Sequence, residues 1–216
     1  MSALSQCADT EVIFVDNEST DNSVSIVQSI KADFPRLEMY SAANIYPRCW
    51  DEAREKGFSV SSGKYLFTLA SDDYYLPDYV KSCVSVMETN SCLIMQSPIL
   101  NIQGTKGNIL KYSYSSIEEF KLKCAVHCPV TSPSVVYDKS LYEDGLLVTN
   151  PKKYSGSADY DLYCRLANNG HLIYPHQEFL GYCYTLHKGQ ATWDMLRDPI
   201  KYDDMIRSYW RSKWNI

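Results

Sequence analysis

Two adjacent carboxylates, Asp72 and Asp73, stand at the exit of the run Tyr65-Leu66-Phe67-Thr68-Leu69. Like charges at short range repel, so neither can neutralise the other, and the pair calls for a cation. Oxygen ligands favour Mg²⁺ or Mn²⁺, which take one or two carboxylates and fill their other positions with water and substrate phosphates. The competing reading is a helix N-terminus over 74–77, where carboxylates complement the dipole. Asp159 and Asp161 form a second acidic group at the start of an amphipathic stretch, where capping accounts for at least one of them. A lone histidine, His187, follows Tyr184-Thr185-Leu186. Cys124, His127 and Cys128 lie close together, but no second Cys or His pair completes a zinc set.

Elements must bring these groups together. An apolar run at 11–15 ends in Asp16, and the turn that follows offers Ser19, Thr20 and Asp21 as N-caps for a helix striped by Val24, Ile26, Val27 and Ile30. A short strand at 37–40, a helix at 48–60 and a third strand at 65–69 come next. This alternation predicts a parallel sheet with crossover helices. Ligands of such sheets bind at the carboxyl ends of strands, where both Asp16 and Asp72-Asp73 fall. Further along, the pattern predicts a helix from 78 to 88, a strand at 93–96 and a hairpin turn at Gly104-Thr105-Lys106-Gly107. A helix at 116–124, a strand at 135–137, a helix at 158–168, strands near 172 and over 179–185, and a helical tail over 202–214 complete the reading.

The chain has 216 residues, enough for one domain with a sizeable core. Its net charge of −5 argues against a nucleic-acid binder, which needs a basic surface. A bound metal can still offset a nucleotide's phosphates locally. The 18 tyrosines suit carbohydrate contact, though partial burial accounts for most of them. The cysteines form no C-x-x-C pair and no leader precedes them, so reduced thiols are expected rather than disulfides. No run of ~18 apolar residues is present, so the expectation is a cytoplasmic chain, peripheral to a membrane at most. The aromatic and basic tail, Tyr209-Trp210-Arg211 and Lys213-Trp214, would make such a peripheral or partner-domain contact, or pack on its own domain.

In sum these segments resemble the family 2 glycosyltransferases, of GT-A fold. The resemblance runs from about 11 to 192. Glu11-Val12-Ile13-Phe14-Val15-Asp16 with its acidic turn is similar to the family's opening strand. Ala53-Arg54-Glu55-Lys56-Gly57 and Ser61-Ser62-Gly63-Lys64-Tyr65 match the spacing before the metal motif. Phe67-Thr68-Leu69-Ala70-Ser71-Asp72-Asp73 resembles the D-x-D region, and Asp159-Tyr160-Asp161-Leu162 with Arg165-Leu166 resembles the catalytic segment.

The resemblance implies an α/β fold with a mixed, mostly parallel sheet flanked by helices. One domain would divide into a nucleotide-sugar half (about 1–97), an acceptor and catalytic half (98–192) and a helical tail (193–216). Asp73 and His187 would contact a Mn²⁺ or Mg²⁺ ion bridging the donor diphosphate. Asp16, Ser19, Arg48 and Asp72 would contact the donor, expected to be a UDP-sugar. Asp159 would be the general base of an inverting transfer to a carbohydrate or other hydroxyl, and Asp161 would brace the loop with Arg165. Acceptor contacts would come from Thr131-Ser132-Pro133 and a mobile loop over 148–155.

Three departures qualify the match. The family's first strand is missing, which would leave a sheet edge open beside the donor site. Ala70 replaces the usual first Asp of the metal motif, and Ala158 the first acid of the catalytic pair. The open edge motivates an alternative, a non-catalytic nucleotide-sugar-binding module or a fragment of a larger enzyme. A nucleotidyltransferase fits less well, because no Gly-rich phosphate loop lies near the N-terminus.

Overall fold

The computed structural model describes residues 1–7, 9–46 and 49–216, with the side chains of 194–196 not described. The first half alternates as expected: β1 (Val12–Asp16), α1 (Ser23–Lys31), β2 (Leu37–Ser41), α2 (Asp51–Val60), β3 (Tyr65–Leu66), β4 (Tyr74–Tyr75), α3 (Tyr79–Asn90) and β5 (Ile94–Gln96). Next come β6 (Ile99–Gln103), β7 (Lys106–Leu110), α4 (Ile117–Cys124), β8 (Val135–Asp138), α5 (Ser140–Glu143) and α6 (Pro151–Tyr154). The chain closes with α7 (Ala158–Asn168), β9 (Tyr174–Pro175), β10 (Tyr182–Thr185), α8 (Ala191–Arg197) and α9 (Tyr202–Trp214).

Among the described residues the strands form three ladders: β1-β2, β4-β10-β6-β7 and β3-β8-β5-β9. The β1-β2, β10-β6 and β5-β9 pairs are parallel; the other four pairs are antiparallel. The architecture is therefore α/β with a mixed sheet, in which parallel pairing is less extensive than helix–strand alternation suggests. The reason is local. The 103–106 hairpin and the returning strands β8 and β10 add antiparallel neighbours that alternation in the first half does not announce.

β1 pairs with β2 and with no other strand among the described residues, so its second edge is open, as expected. A carboxylate joins this pair to the remaining sheet: Glu11 accepts from the backbone N–H groups of Ser62 (2.6 Å) and Gly63 (2.8 Å), just before β3.

Two differences from the sequence reading bear on the site. The strand expected over 65–69 pairs only at Tyr65 and Leu66, opposite Asp138 and Tyr137 of β8. Beyond it the chain leaves the ladder, and the Thr68 carbonyl accepts from the Tyr75 hydroxyl at 2.7 Å. The residues after Asp73 form no helix. Tyr74 and Tyr75 are strand β4, antiparallel to Cys183 and Tyr182 of β10, which removes the helix-cap explanation of Asp72-Asp73.

The core has two parts. One surrounds α7, where Tyr160, Leu162, Tyr163, Cys164 and Leu166 are buried with Phe120, Ile173, Ile206 and Trp210. The other joins Tyr75, Tyr79, Met87, Met95 and Tyr182 behind the acidic turn. Tyrosines enter both parts, because the ring contributes area while a hydroxyl such as that of Tyr75 or Tyr182 finds a partner. The stripe expected on α1 is weaker than its pattern: Ile26 is exposed and α1 buries no residue fully.

Candidate active site

Asp73 is 8% exposed and is held by two donors from β10. Its Oδ2 accepts from the Tyr182 hydroxyl and its Oδ1 from the Thr185 backbone N–H, both at 2.8 Å. Burial pushes its carboxyl up to about 6, and the neighbouring Asp72 charge adds to this; the Thr185 and Tyr182 hydrogen bonds and His187 oppose it. A carboxylate raised by desolvation stands to gain from a cation.

Asp72 faces outward, and its Oδ2 lies 2.8 Å from His187 Nε2. The imidazole is fixed from behind. His187 Nδ1 accepts from the Gly189 N–H at 3.2 Å, its N–H donates to Gln190 Oε1 at 3.2 Å, and its carbonyl accepts from Trp193 Nε1 at 2.7 Å. An Nδ1 that accepts leaves the neutral ring's proton on Nε2, so His187 donates to Asp72. Asp72, Asp73 and His187 therefore meet at one rim, as the resemblance implied.

Among the described residues no three His, Cys, Asp or Glu side chains make a metal cage. A pair of carboxylates beside a phosphate-bearing substrate nevertheless fits Mg²⁺ or Mn²⁺, which need few protein ligands. In this arrangement His187 Nδ1 accepts from the Gly189 N–H and Nε2 faces Asp72, so the ring orients the Asp72 carboxylate. Among the described residues Cys124, His127 and Cys128 do not gather into a group that could hold a metal ion, and the His127 ring lies 5.6 Å from that of Tyr112.

Asp16 ends β1, and its Oδ1 accepts from the Ser19 N–H at 3.2 Å, closing the acidic turn. Glu18 within this turn has φ of 64°. No hydrogen bond or ion pair among the described residues links Asp16 or Ser19 to the Asp72–Asp73 rim. Arg48 lies outside the described residues.

Asp159 sits in the first turn of α7, where its Oδ1 accepts from the Tyr160 N–H at 2.7 Å. Burial, first, raises its carboxyl above the usual range, with Asp51 adding; the Ser132 hydroxyl, the Tyr160 N–H and Arg54 oppose. Asp161 is the brace that its spacing suggested. Its Oδ2 accepts from Arg165 Nε at 3.1 Å, and its Oδ1 from Trp210 Nε1 at 2.9 Å.

Sequence reasoning missed several of these groups. Tyr182 was one tyrosine among eighteen, and a backbone N–H such as that of Thr185 leaves no mark in residue type. Asp51 and Arg54 also escaped assignment. Arg54 donates to Asp51 Oδ1 and to Thr149 Oγ1, each at 2.8 Å, and Thr149 also bonds Asp51. α2 is thereby tied to the loop before α6. The i, i+3 spacing of Asp51 and Arg54 was the available signal.

The family model of glycosyl transferase family 2 matches residues 1–145. The chain belongs to this family. A UDP-Glc:alpha-D-GlcNAc-diphosphoundecaprenol beta-1,3-glucosyltransferase of Escherichia coli is 23% identical over 209 residues, covering 96% of this chain and 78% of that one. Chondroitin synthase of Escherichia coli is 27% identical over 172 residues, covering 78% of this chain and 24% of the synthase. Among solved structures, TarS of S. aureus, residues 1–349 in complex with UDP-GlcNAc, matches with a TM-score of 0.69 at 14% identity, over 97% of this chain and 65% of that one. Such a likeness carries the fold, and the fold is GT-A. The chain spans about two-thirds of that structure and a quarter of the synthase. By family, it is a glycosyltransferase chain. No helix among the described residues is long and apolar enough to cross a membrane.

Proposed function

We propose that this chain moves a sugar from a nucleotide-sugar donor, a UDP-sugar, to a hydroxyl of a carbohydrate or similar acceptor, with inversion and with a divalent cation. The observation that carries this reading is the rim where Asp72, Asp73 and His187 meet at the end of β10, with Asp73 raised to about 6 by burial. Support for the donor comes from similar proteins, one named for UDP-Glc and one solved with UDP-GlcNAc.

Asp72 and Asp73 hold Mn²⁺ or Mg²⁺, and His187 orients Asp72 from the side. The ion, when bound, offsets charge on the departing nucleoside diphosphate. Asp16 and Ser19 form the turn that receives the base and ribose, and Arg48 belongs to the same donor role. Asp159 takes the proton of the acceptor hydroxyl as its oxygen bonds to the anomeric carbon and the bond to the diphosphate breaks. A carboxylate raised by burial is better matched to that proton than an ordinary one.

The test is a thermal-shift measurement with UDP and Mn²⁺, paired with transfer assays. Asp73→Asn is expected to abolish Mn²⁺-dependent stabilisation by UDP. Asp159→Asn is expected to keep it and to lose turnover by about 10²- to 10⁴-fold. Full turnover in Asp159→Asn would remove it as base. The open edge of β1 favours a second reading, a binding module without catalysis. Ion-dependent UDP binding with neither transfer nor donor hydrolysis would select that one.

A further inference from the structure

We infer that the face formed by the C-terminal half of α9 with the ends of α4 and α6 docks on a bilayer containing anionic phospholipids. The inference is independent of the reading of Asp159 as base.

Of the two roles expected of the tail, packing accounts for the inner side of α9, where Ile206 and Trp210 are buried in the core around α7. Its outer side is left over. From 205 to 216 the sequence holds Arg207, Arg211 and Lys213 and no acidic residue. The two segments that meet this half are alike, with no Asp or Glu over 120–133 or 145–158. On one flank Arg211 Nε donates to the Ala125 carbonyl just after α4 at 2.6 Å, and Lys121 Nζ lies 5.7 Å from the centre of the Trp214 ring. On the other, Lys153 Nζ of α6 lies 5.3 Å from the centre of the Tyr209 ring, which Lys213 Nζ approaches to 5.8 Å. The line between the flanks, Ser208 and Ser212, is exposed and uncharged.

The charge of this face is unspent. Lys121, Lys152, Lys153, Arg211 and Lys213 form no ion pair among the described residues, whereas Lys123 beside them pairs with Glu119 at 3.6 Å. The C-terminal ends of α4 and α9 offset about half a charge each, which leaves a surplus of about four. In a chain of net charge −5 this is a local concentration of the minority sign. Cations alone would serve any polyanion. Here Leu122, Val126 and Tyr209 stand exposed among them. Ammonium groups interleaved with aliphatic tips and an aromatic ring match the boundary between lipid phosphates and acyl chains.

The test is co-sedimentation of the full chain with vesicles of phosphatidylcholine alone, or of phosphatidylcholine and phosphatidylglycerol in equal parts. Binding is expected on the mixed vesicles at about 0.1 M NaCl, several-fold weaker at about 0.5 M, and absent on phosphatidylcholine. Combining Lys152→Gln, Lys153→Gln and Lys213→Gln should weaken it by about 100-fold, at about fivefold per lysine. Tyr209→Ser should weaken it by about fivefold. All four side chains are exposed, so these variants are expected to keep the wild-type urea midpoint. Lys106→Gln, on the exposed β6–β7 hairpin, is the charge control and should bind as the wild type does. The inference is overturned by no binding to the mixed vesicles, by equal binding to both kinds, or by a triple variant no weaker than Lys106→Gln. It is overturned too if Tyr209→Ser has no effect and a short single-stranded RNA binds as tightly as the mixed vesicles, which would make the face a general polyanion site.

Discussion

Trp210 offers a direct measure of how firmly the C-terminal helix is docked. Its ring is 1% exposed, and its Nε1–H donates at 2.9 Å to Asp161, itself 6% exposed and two residues from Asp159. In Trp210→Phe the ring remains largely replaced, but the donor to a buried carboxylate disappears. A hydrogen bond to a charged group contributes about 1.5–3 kcal/mol. The lost ring volume of roughly 40 Å³ adds about 1 kcal/mol at ~24 cal/mol per Å³. The expected loss is therefore about 2.5–4 kcal/mol, less where Arg165, 3.1 Å from the other carboxylate oxygen, swings to compensate. Urea denaturation at neutral pH measures it, with an unchanged m-value as the control for two-state behaviour. At ~2–4 °C per kcal/mol for a chain of this size, the midpoint should fall by about 5–16 °C. A loss below about 1 kcal/mol would refute the reasoning, because a peripheral tail contributes little when its anchor is trimmed.

Further expectations follow from other residues. Gly181 has φ of 122°, and a Cβ there would lie 2.9 Å from Leu76 Cβ, so Gly181→Ala should destabilise by about 1–3 kcal/mol in urea and also weaken Mn²⁺-dependent UDP binding through Tyr182. Burial raises the carboxyl of Asp159, so the acid limb of the transfer rate should lie above the ordinary carboxylate range, with activity falling as pH drops through it. The same shift means the folded chain binds that proton more tightly than the unfolded one. Its contribution to stability therefore declines as pH rises from the unfolded value to the folded one, and Asp159→Asn should be more stable than wild type at neutral pH. Arg54→Ala, which removes the guanidinium that bonds both Asp51 and Thr149, should raise the carboxyl of Asp159 further and move the acid limb upward. Arg54→Lys, which keeps the charge, should move it less, and equal profiles in both variants would count against an electrostatic role.

The sequence determined a good deal. Residue type and period predicted β1, a hairpin turn at Gly104–Gly107 that the structure closes between Gln103 and Lys106, α7 and the tail helix, because alternation, turn glycines and helical stripes are local signals. It also singled out Asp72, Asp73, Asp159 and His187, and the Asp161–Arg165 brace, whose i, i+4 spacing is itself a geometric statement. What it left open were interactions across long separations. Whether Asp72-Asp73 capped a helix or faced a strand was decided by the pairing of β4 with β10, some hundred residues away in the chain. The tertiary structure alone turned Asp73 inward to Tyr182 and Thr185, set His187 against Asp72, and bound Trp210 to Asp161. Such contacts depend on where distant segments dock, and burial of a carboxylate depends on everything packed around it; neither quantity is written in the residues nearby.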